Sequence, residues 1–424
     1  MSIIVNTRWQ QHKNIVKNSF FLSVVDGIKL LLPFVAMPYI IRVCGVENYG
    51  RIIFAQSVMT YFSIVVNFGL NIFTVREVAK NVQNPTVLSQ LASSFIALRL
   101  LLISLSFAAL LVMLAVIPFM QQFKLLMLYA FIAVLAEAFT MTAFFQGLEK
   151  MHNIAVLQFV AVVFYLSTLF IFVRKAEDYE LVVFLQSIGL LLASLLGVGL
   201  LCVRYKIRVH FSKWRNLWDM LKCSTPFAMS RIAVVVNSNV ARLFAGIALG
   251  MHELAVLDIA QKISDAAMIP ISIADQALYP HNAKNQDRKF ATHTFWGILA
   301  MGIGCALLMV ICTPYAVRYF GHGELNDAIP LTCLLSIKVV INALNLYSGT
   351  PVLVAFGYAK PFNMSIIYAA IITLLIYTLL YFTGILSLNA VAAVMIFDII
   401  FITAYRLFYC VKYKLLFYND EGEI

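Results

Sequence analysis

Runs of about twenty apolar residues recur along this chain, and a run of that length is what crosses the hydrocarbon core of a bilayer as a helix. Twelve are read, with soft ends, at 18–41, 52–75, 90–117, 124–146, 153–173, 180–203, 224–249, 254–279, 291–316, 328–356, 361–383 and 388–410. Of the 424 residues, 62% are hydrophobic and 12% charged, and the mean hydropathy is +0.89. A soluble fold cannot hide that much apolar surface, so the expected class is an all-α integral membrane protein. The stretch VRYKIRVHFSKWRNLWDMLK, residues 203–222, is the longest polar segment between the termini. It divides the chain into a six-helix bundle at 1–203, a basic linker at 204–222 and a second six-helix bundle at 223–424.

Charge tests this reading. With the N-terminus inside, the cytoplasmic segments carry 19 Lys and Arg, Arg406 counted among them, against 6 in the outer loops. Lys and Arg resist translocation, so the bias places both termini and the central linker in the cytoplasm. It also accounts for the net charge of +11 without nucleic acid. The outer loops are short and leave little room for chemistry outside the membrane. The seven cysteines are scattered with no CxxC, and the histidines lack ligand spacing, so neither a disulfide framework nor a metal site is expected. Gly189, Ala193 and Gly197 recur every four residues, a spacing that brings two helices close. Pro33, Pro38, Pro270 and Pro351 are expected to kink or break their helices.

A weak internal repeat links the halves. A shift of 205 positions lays Lys17 and Ser19 on Lys222 and Ser224, Gly45 on Gly250, and Ala55-Gln56 on Ala260-Gln261. A shift of 204 lays Ala79-Lys80-Asn81 on Ala283-Lys284-Asn285. Six helices per half start both halves on the same side. The repeat is then parallel, its pseudo-two-fold axis lies along the membrane normal, and a cleft is expected between the bundles.

Twelve ionisable residues fall inside the apolar segments, where each costs about 2.5–3.5 kcal/mol on an insertion scale. Asp26 and Lys29 lie three apart, and Asp258, Lys262 and Asp265 four and then three apart, spacings that permit structural pairing on one helix face. Asp275 can reach the cytoplasmic interface, and Arg99 can snorkel. Arg231, Arg242, Lys338, Glu137 and Asp398 have no local partner of opposite sign. The bases Arg231, Arg242, Lys338, Lys29, Lys262 and Arg99 are the candidate anion-binding groups, Arg being apt for phosphate through its planar fork. The acids Asp26, Glu137, Asp265 and Asp398 could serve as proton or cation sites coupling transport to a gradient.

The stretch PYIIRVCGVENYGRIIFAQSVMTYFSIVVNFGLNIFTVREVA, residues 38–79, carries Pro38-Tyr39, Arg42, Gly45, Glu47, Tyr49-Gly50, Phe68-Gly69 and Thr74-Val75-Arg76-Glu77. It resembles the signature of the bacterial polysaccharide-transport family, which contains the Wzx-type O-antigen flippases of the multidrug, oligosaccharidyl-lipid and polysaccharide exporter superfamily. FFQGLEKM, residues 144–151, resembles a second family segment. Cys44 stands where Leu is more usual. The second half carries no crisp motif. The resemblance implies a flippase of the bacterial inner membrane, serving lipopolysaccharide biosynthesis. Its cargo would be an undecaprenyl-pyrophosphate-linked glycan, moved to the periplasmic leaflet by alternating access. A proton or sodium gradient and other polysaccharide-assembly membrane proteins are the further partners in view. Arg76 and Glu77 could form a cytoplasmic gate, or simply cap their helix. A cation-coupled drug antiporter of the same superfamily is the alternative; the signature disfavours it. A membrane polymerase or ligase is disfavoured by the short outer loops, so no enzyme and no cofactor are expected.

Overall fold

Every regular element among the described residues is a helix, as backbone in lipid must satisfy its own hydrogen bonds. The structure is a computed structural model and describes residues 21, 25, 27, 28, 31–210, 213–321 and 323–417, the side chain of Ser230 aside. Ten helices among these are long and apolar enough to cross a membrane. The other two expected passages are the first, described over α1 (Leu31–Cys44), and the eighth, which is split. By internal contacts the chain forms two units, residues 1–232 and 233–424.

In the first unit, α2 (Val46–Asn67) and α3 (Leu70–Lys80) are two pieces of one passage. Phe68 (φ 33°) and Gly69 (φ 69°) stand between them in the left-handed region. A Cβ on Gly69 would sit 2.8 Å from the Ser224 carbonyl and the Ala228 nitrogen, so α10 (Trp214–Ala248) presses its backbone into this break. α4 (Pro85–Val116) starts on an Asn84 cap that accepts from the Val87 N–H, with Pro85 at the first position, where its missing donor costs nothing. After the short α5 (Pro118–Gln121), the fourth passage is again in two pieces, α6 (Lys124–Phe139) and α7 (Thr142–Gly147). α8 (Met151–Phe172) and α9 (Tyr179–Tyr205) complete the unit. The small-residue stripe on α9 does bring helices close. A Cβ on Gly189 would meet the Phe164 ring at 3.0 Å, and one on Gly197 would meet Leu157 at 3.1 Å, both on α8.

The basic linker is shorter than its polarity indicates. α9 reaches Tyr205, and α10 already begins at Trp214. Leu217, Met220 and Ser224 are buried at a spacing of three and four, so this segment is the amphipathic start of a helix. Residues 206–210 lie along α4: Ile207 is buried, Arg208 N–H donates to Ser89 Oγ, and His210 N–H donates to Ser93 Oγ, both at 3.0 Å.

The second unit contains the rest of α10, then α11 (Met251–Ala267), α12 (Ile269–Asn285), α13 (Arg288–Gly321), α14 (Ala328–Tyr347), α15 (Ala359–Phe382) and α16 (Leu388–Lys412). The α11–α12 break falls at Met268, two residues before Pro270, and α14 runs into a π-helical stretch, Ser348–Val354, that contains Pro351. Both prolines act as anticipated, since each removes a ladder hydrogen bond and crowds the preceding turn. Pro226, Pro280 and Pro314 lie inside continuous helices.

The repeat has a backbone counterpart. Gly45 (φ 84°, ψ 163°) and Gly250 (φ 107°, ψ 177°) precede α2 and α11 in the same conformation, one open essentially to glycine alone. Nothing crowds either position; the nearest atom to a Cβ on Gly250 would be Glu253 Oε2 at 3.5 Å. Gly250→Ala therefore tests backbone strain without collision. We expect a loss of about 1–3 kcal/mol, read as a lower melting midpoint in detergent. Gly304→Ala on α13, where a Cβ also meets nothing, should melt like the wild type or higher. Equal midpoints for the two variants would contradict the strain.

Candidate functional site

Each unit holds a polar cavity within its own helices. In the first unit it measures about 470 Å³ and is walled by α2, α4, α6 and α9. Its two charged groups among the described residues, Arg99 and Glu137, are engaged inside the protein. One Arg99 terminal nitrogen donates to the backbone carbonyls of Glu137 and Thr140; the other donates to Asn67 Oδ1 at 2.6 Å and Asn71 Oδ1 at 2.8 Å. Asn67 in turn donates to the Glu137 carboxylate, and the guanidinium lies 4.1 Å over the Phe95 ring. The cause is local. The break after Phe139 leaves carbonyls that no following helical N–H fully serves, and a buried Arg supplies the donors. The rest of the described polar lining is uncharged, with Gln56, Thr60, Ser63, Gln186 and Ser194 among it.

In the second unit the cavity measures about 280 Å³. Arg242, Asp265, Lys338 and Asp398 line it, two bases and two acids. Asp398 accepts from Asn237 Nδ2 and from Thr373 Oγ1, both at 2.9 Å. Arg242 is ion-paired to Asp258 at 3.1 Å, and Asp258 also holds Lys262 at 2.7 Å. Lys338 faces Asp265 and Asp398, yet no ion pair within 4 Å holds it among the described residues. Gln261, the repeat counterpart of Gln56, lines this cavity as Gln56 lines the first.

The family model described as polysaccharide biosynthesis protein matches residues 15–286. The chain belongs to that family. This polysaccharide biosynthesis protein is 23% identical, over 85% of its length and 88% of the relative's, to an Escherichia coli K12 protein provisionally named an O-antigen transporter. It is 25% identical to a Shigella dysenteriae protein of the same provisional name, over 65% of its own length and 69% of that protein's. Among solved structures, an inward-facing multidrug-resistance MATE transporter of the MOP superfamily superposes with TM-score 0.64 at 14% identity. That match covers 91% of this chain and 98% of the other. The outward-facing conformation gives 0.59 at 13% identity, covering 95% of each. The fold is that of the MATE/MOP transporter structures, and ten of the described helices are long and apolar enough to cross a membrane.

The structure distributes the candidate residues of this polysaccharide biosynthesis protein unevenly. Arg99 and Glu137 meet in the first cavity; Arg242, Lys338, Asp265 and Asp398 meet in the second, with Lys262 behind them on Asp258. Arg231 is exposed and lines neither. Asp26 and Lys29 lie outside the described residues. On α3, Glu77 pairs with Lys80 at 2.9 Å and Arg76 is exposed.

Arg406 stands apart from its expected place among cytoplasmic charges: it is buried in the second unit. Its Nε donates to Ser365 Oγ at 3.1 Å and its Nη1 to the Asn345 carbonyl at 2.9 Å, just before the π stretch, with the guanidinium 4.3 Å over the Phe362 ring. Gly349 leaves it room, since a Cβ there would sit 2.5 Å from Nη1. So two of the interrupted passages, α6–α7 and α14 with its π extension, are each served by a buried Arg stacked on a Phe. The neutral amides Gln56, Asn67, Asn71, Gln186, Asn237 and Asn342 escaped a reading that tracked only ionisable groups. Amides inside apolar segments were the signal to follow.

Proposed function

We propose that this polysaccharide biosynthesis protein is a flippase. Its cargo is an undecaprenyl-pyrophosphate-linked oligosaccharide, passed from the cytoplasmic to the periplasmic leaflet of the bacterial inner membrane, with both termini cytoplasmic. The observation that carries the reading is Lys338: a lysine on a cavity wall inside a transporter fold, with no carboxylate in ion-pair contact among the described residues. A cation kept in lipid without a partner marks a pathway for something negative, and the pyrophosphate linker supplies that charge. Arg242 stands on the same wall with its Nε held by Asp258 at 3.1 Å, so its terminal guanidinium nitrogens are the part that would meet phosphate oxygens. Proteins of this fold are known in outward- and inward-facing conformations, which supports alternating access. The protein performs no covalent chemistry in this reading.

The acids favour a second reading. Asp265 and Asp398 equal the bases in number on that wall, as suits a cation-coupled antiporter for small molecules. One experiment separates the two. In cells lacking this chain, lipid-linked glycan should accumulate on the cytoplasmic leaflet, and spheroplast labelling with a membrane-impermeant lectin would read the leaflet. Glycan that still reaches the outer leaflet, together with new sensitivity to cationic drugs, would select the antiporter. For the orientation, Lys213→Cys in the linker should resist an impermeant thiol reagent applied from outside; labelling there would invert the topology.

A further inference from the structure

We infer that the cavity of the first unit is a binding site for an uncharged sugar ring, recognised by side-chain amides and hydroxyls. This rests on the lipid-linked glycan reading and assigns the glycan part of the cargo to a place. Among the described lining residues, the two ionisable groups are engaged internally: Arg99 on two carbonyls and two asparagines, Glu137 on Asn67. Among the described lining residues the opposite charges of Arg99 and Glu137 offset one another within the wall. What remains is hydrogen-bonding capacity of both senses on neutral groups. Gln56 Nε2 donates to Gln186 Oε1 at 2.8 Å; that bond leaves the Gln56 carbonyl oxygen and the Gln186 amide hydrogens to spare. Thr60 Oγ1 donates to the Gln56 backbone carbonyl at 2.9 Å, and Thr140 and Ser194 share one hydrogen bond of 2.9 Å, so their hydroxyls retain acceptor lone pairs.

Polar groups withdrawn from water are costly unless bonded, and this wall gathers them in a membrane helix bundle. A ligand that donates and accepts at every hydroxyl matches them; an apolar drug does not. Among the described lining residues there is no aromatic ring, so recognition here rests on hydrogen bonds and not on stacking. At about 470 Å³ the space lies within the usual range of small-molecule sites, about 300–1,000 Å³, and admits a pyranose. The second unit contrasts with it, since charged groups dominate its smaller cavity.

The test uses the purified full chain in nanodiscs and saturation-transfer NMR with the methyl glycosides of glucose, galactose and N-acetylglucosamine, with inorganic pyrophosphate as competitor. We expect at least one glycoside to bind saturably, to remain bound under excess pyrophosphate and in Lys338→Met, and to lose about tenfold or more in affinity in Gln186→Leu, the consequence of one missing buried hydrogen bond. Thr60→Val, nearly isosteric, gives the same reading if Gln186→Leu fails to fold. Absence of binding by all three glycosides, displacement by pyrophosphate, or unchanged affinity in the folded cavity variants would each overturn the assignment. The flippase reading fails separately. If glycosides bind as described while the deletion leaves leaflet distribution unaltered, the site stands and the cargo is wrong; if the deletion traps glycan inside and Gln186→Leu exports normally, the flippase stands and the site is wrong.

Discussion

Lys338→Met should abolish surface polysaccharide while the protein stays in the membrane at its normal level. The substitution keeps a long unbranched stem and removes the charge. In the free protein that charge stands on a cavity wall without an ion pair among the described residues, and Asp398 is already satisfied by Asn237 and Thr373. Removing a cation with no close partner from a membrane helix relieves a cost, so the melting midpoint should hold or rise as function falls. That opposite movement is the signature of a residue retained for a ligand. A charge-assisted hydrogen bond contributes about 1.5–3 kcal/mol, which is about 10- to 150-fold in affinity for the anionic linker. Lys338→Arg keeps the charge and should retain part of the export. Wild-type polysaccharide in Lys338→Met, with the protein present, would remove the anion-binding role.

Arg99→Met should act in the other direction and unfold the first unit. One side chain serves the carbonyls of Glu137 and Thr140 and the amide oxygens of Asn67 and Asn71. Its loss strands those acceptors, each at about 1–3 kcal/mol when buried, and leaves Glu137 without a neighbouring cation. Removing one member of a buried charged network costs about 3–5 kcal/mol, so a large drop in melting midpoint and in protein level is expected. Arg99→Lys should rescue little, because a point charge with three donors cannot span the same acceptors as a planar fork. If Arg99→Met melts as the wild type does, the break between α6 and α7 is not held by this residue.

In the sequence both bases are anion-binding candidates, Arg99 also one able to snorkel, and only the structure separates their roles. Arg99 and Lys338 are both single cations in apolar runs. One is closed into the protein by a helix break 38 residues or more away, and the other is left facing a cavity. The breaks themselves were partly legible. Pro270 and Pro351 announced two of them, because a ring in place of an N–H is a local fact. Phe68-Gly69 and Thr140-Met141 did not, because glycine and threonine also occur within continuous membrane helices; only the approach of α10 to Gly69 makes the first a requirement. Arg406 was misplaced for the same reason. Its position near the end of the last apolar run fits a cytoplasmic anchor, and what buries it is the gap left by Gly349 on another helix. The start of α10 was misjudged because its polar residues were counted and the spacing of Leu217, Met220 and Ser224 was not.

The sequence by itself determined the membrane class and the family, since helix length, apolar content and a contiguous signature are properties of neighbouring residues. The repeat was legible too, and Gly45 and Gly250 share a backbone counterpart, because a φ near +90° with an extended ψ is open essentially to glycine alone. Only the tertiary structure decided which buried charges are spent and which are offered. A side chain's availability depends on carbonyls, amides and carboxylates brought to it from distant helices, and spacing along one helix holds no record of them.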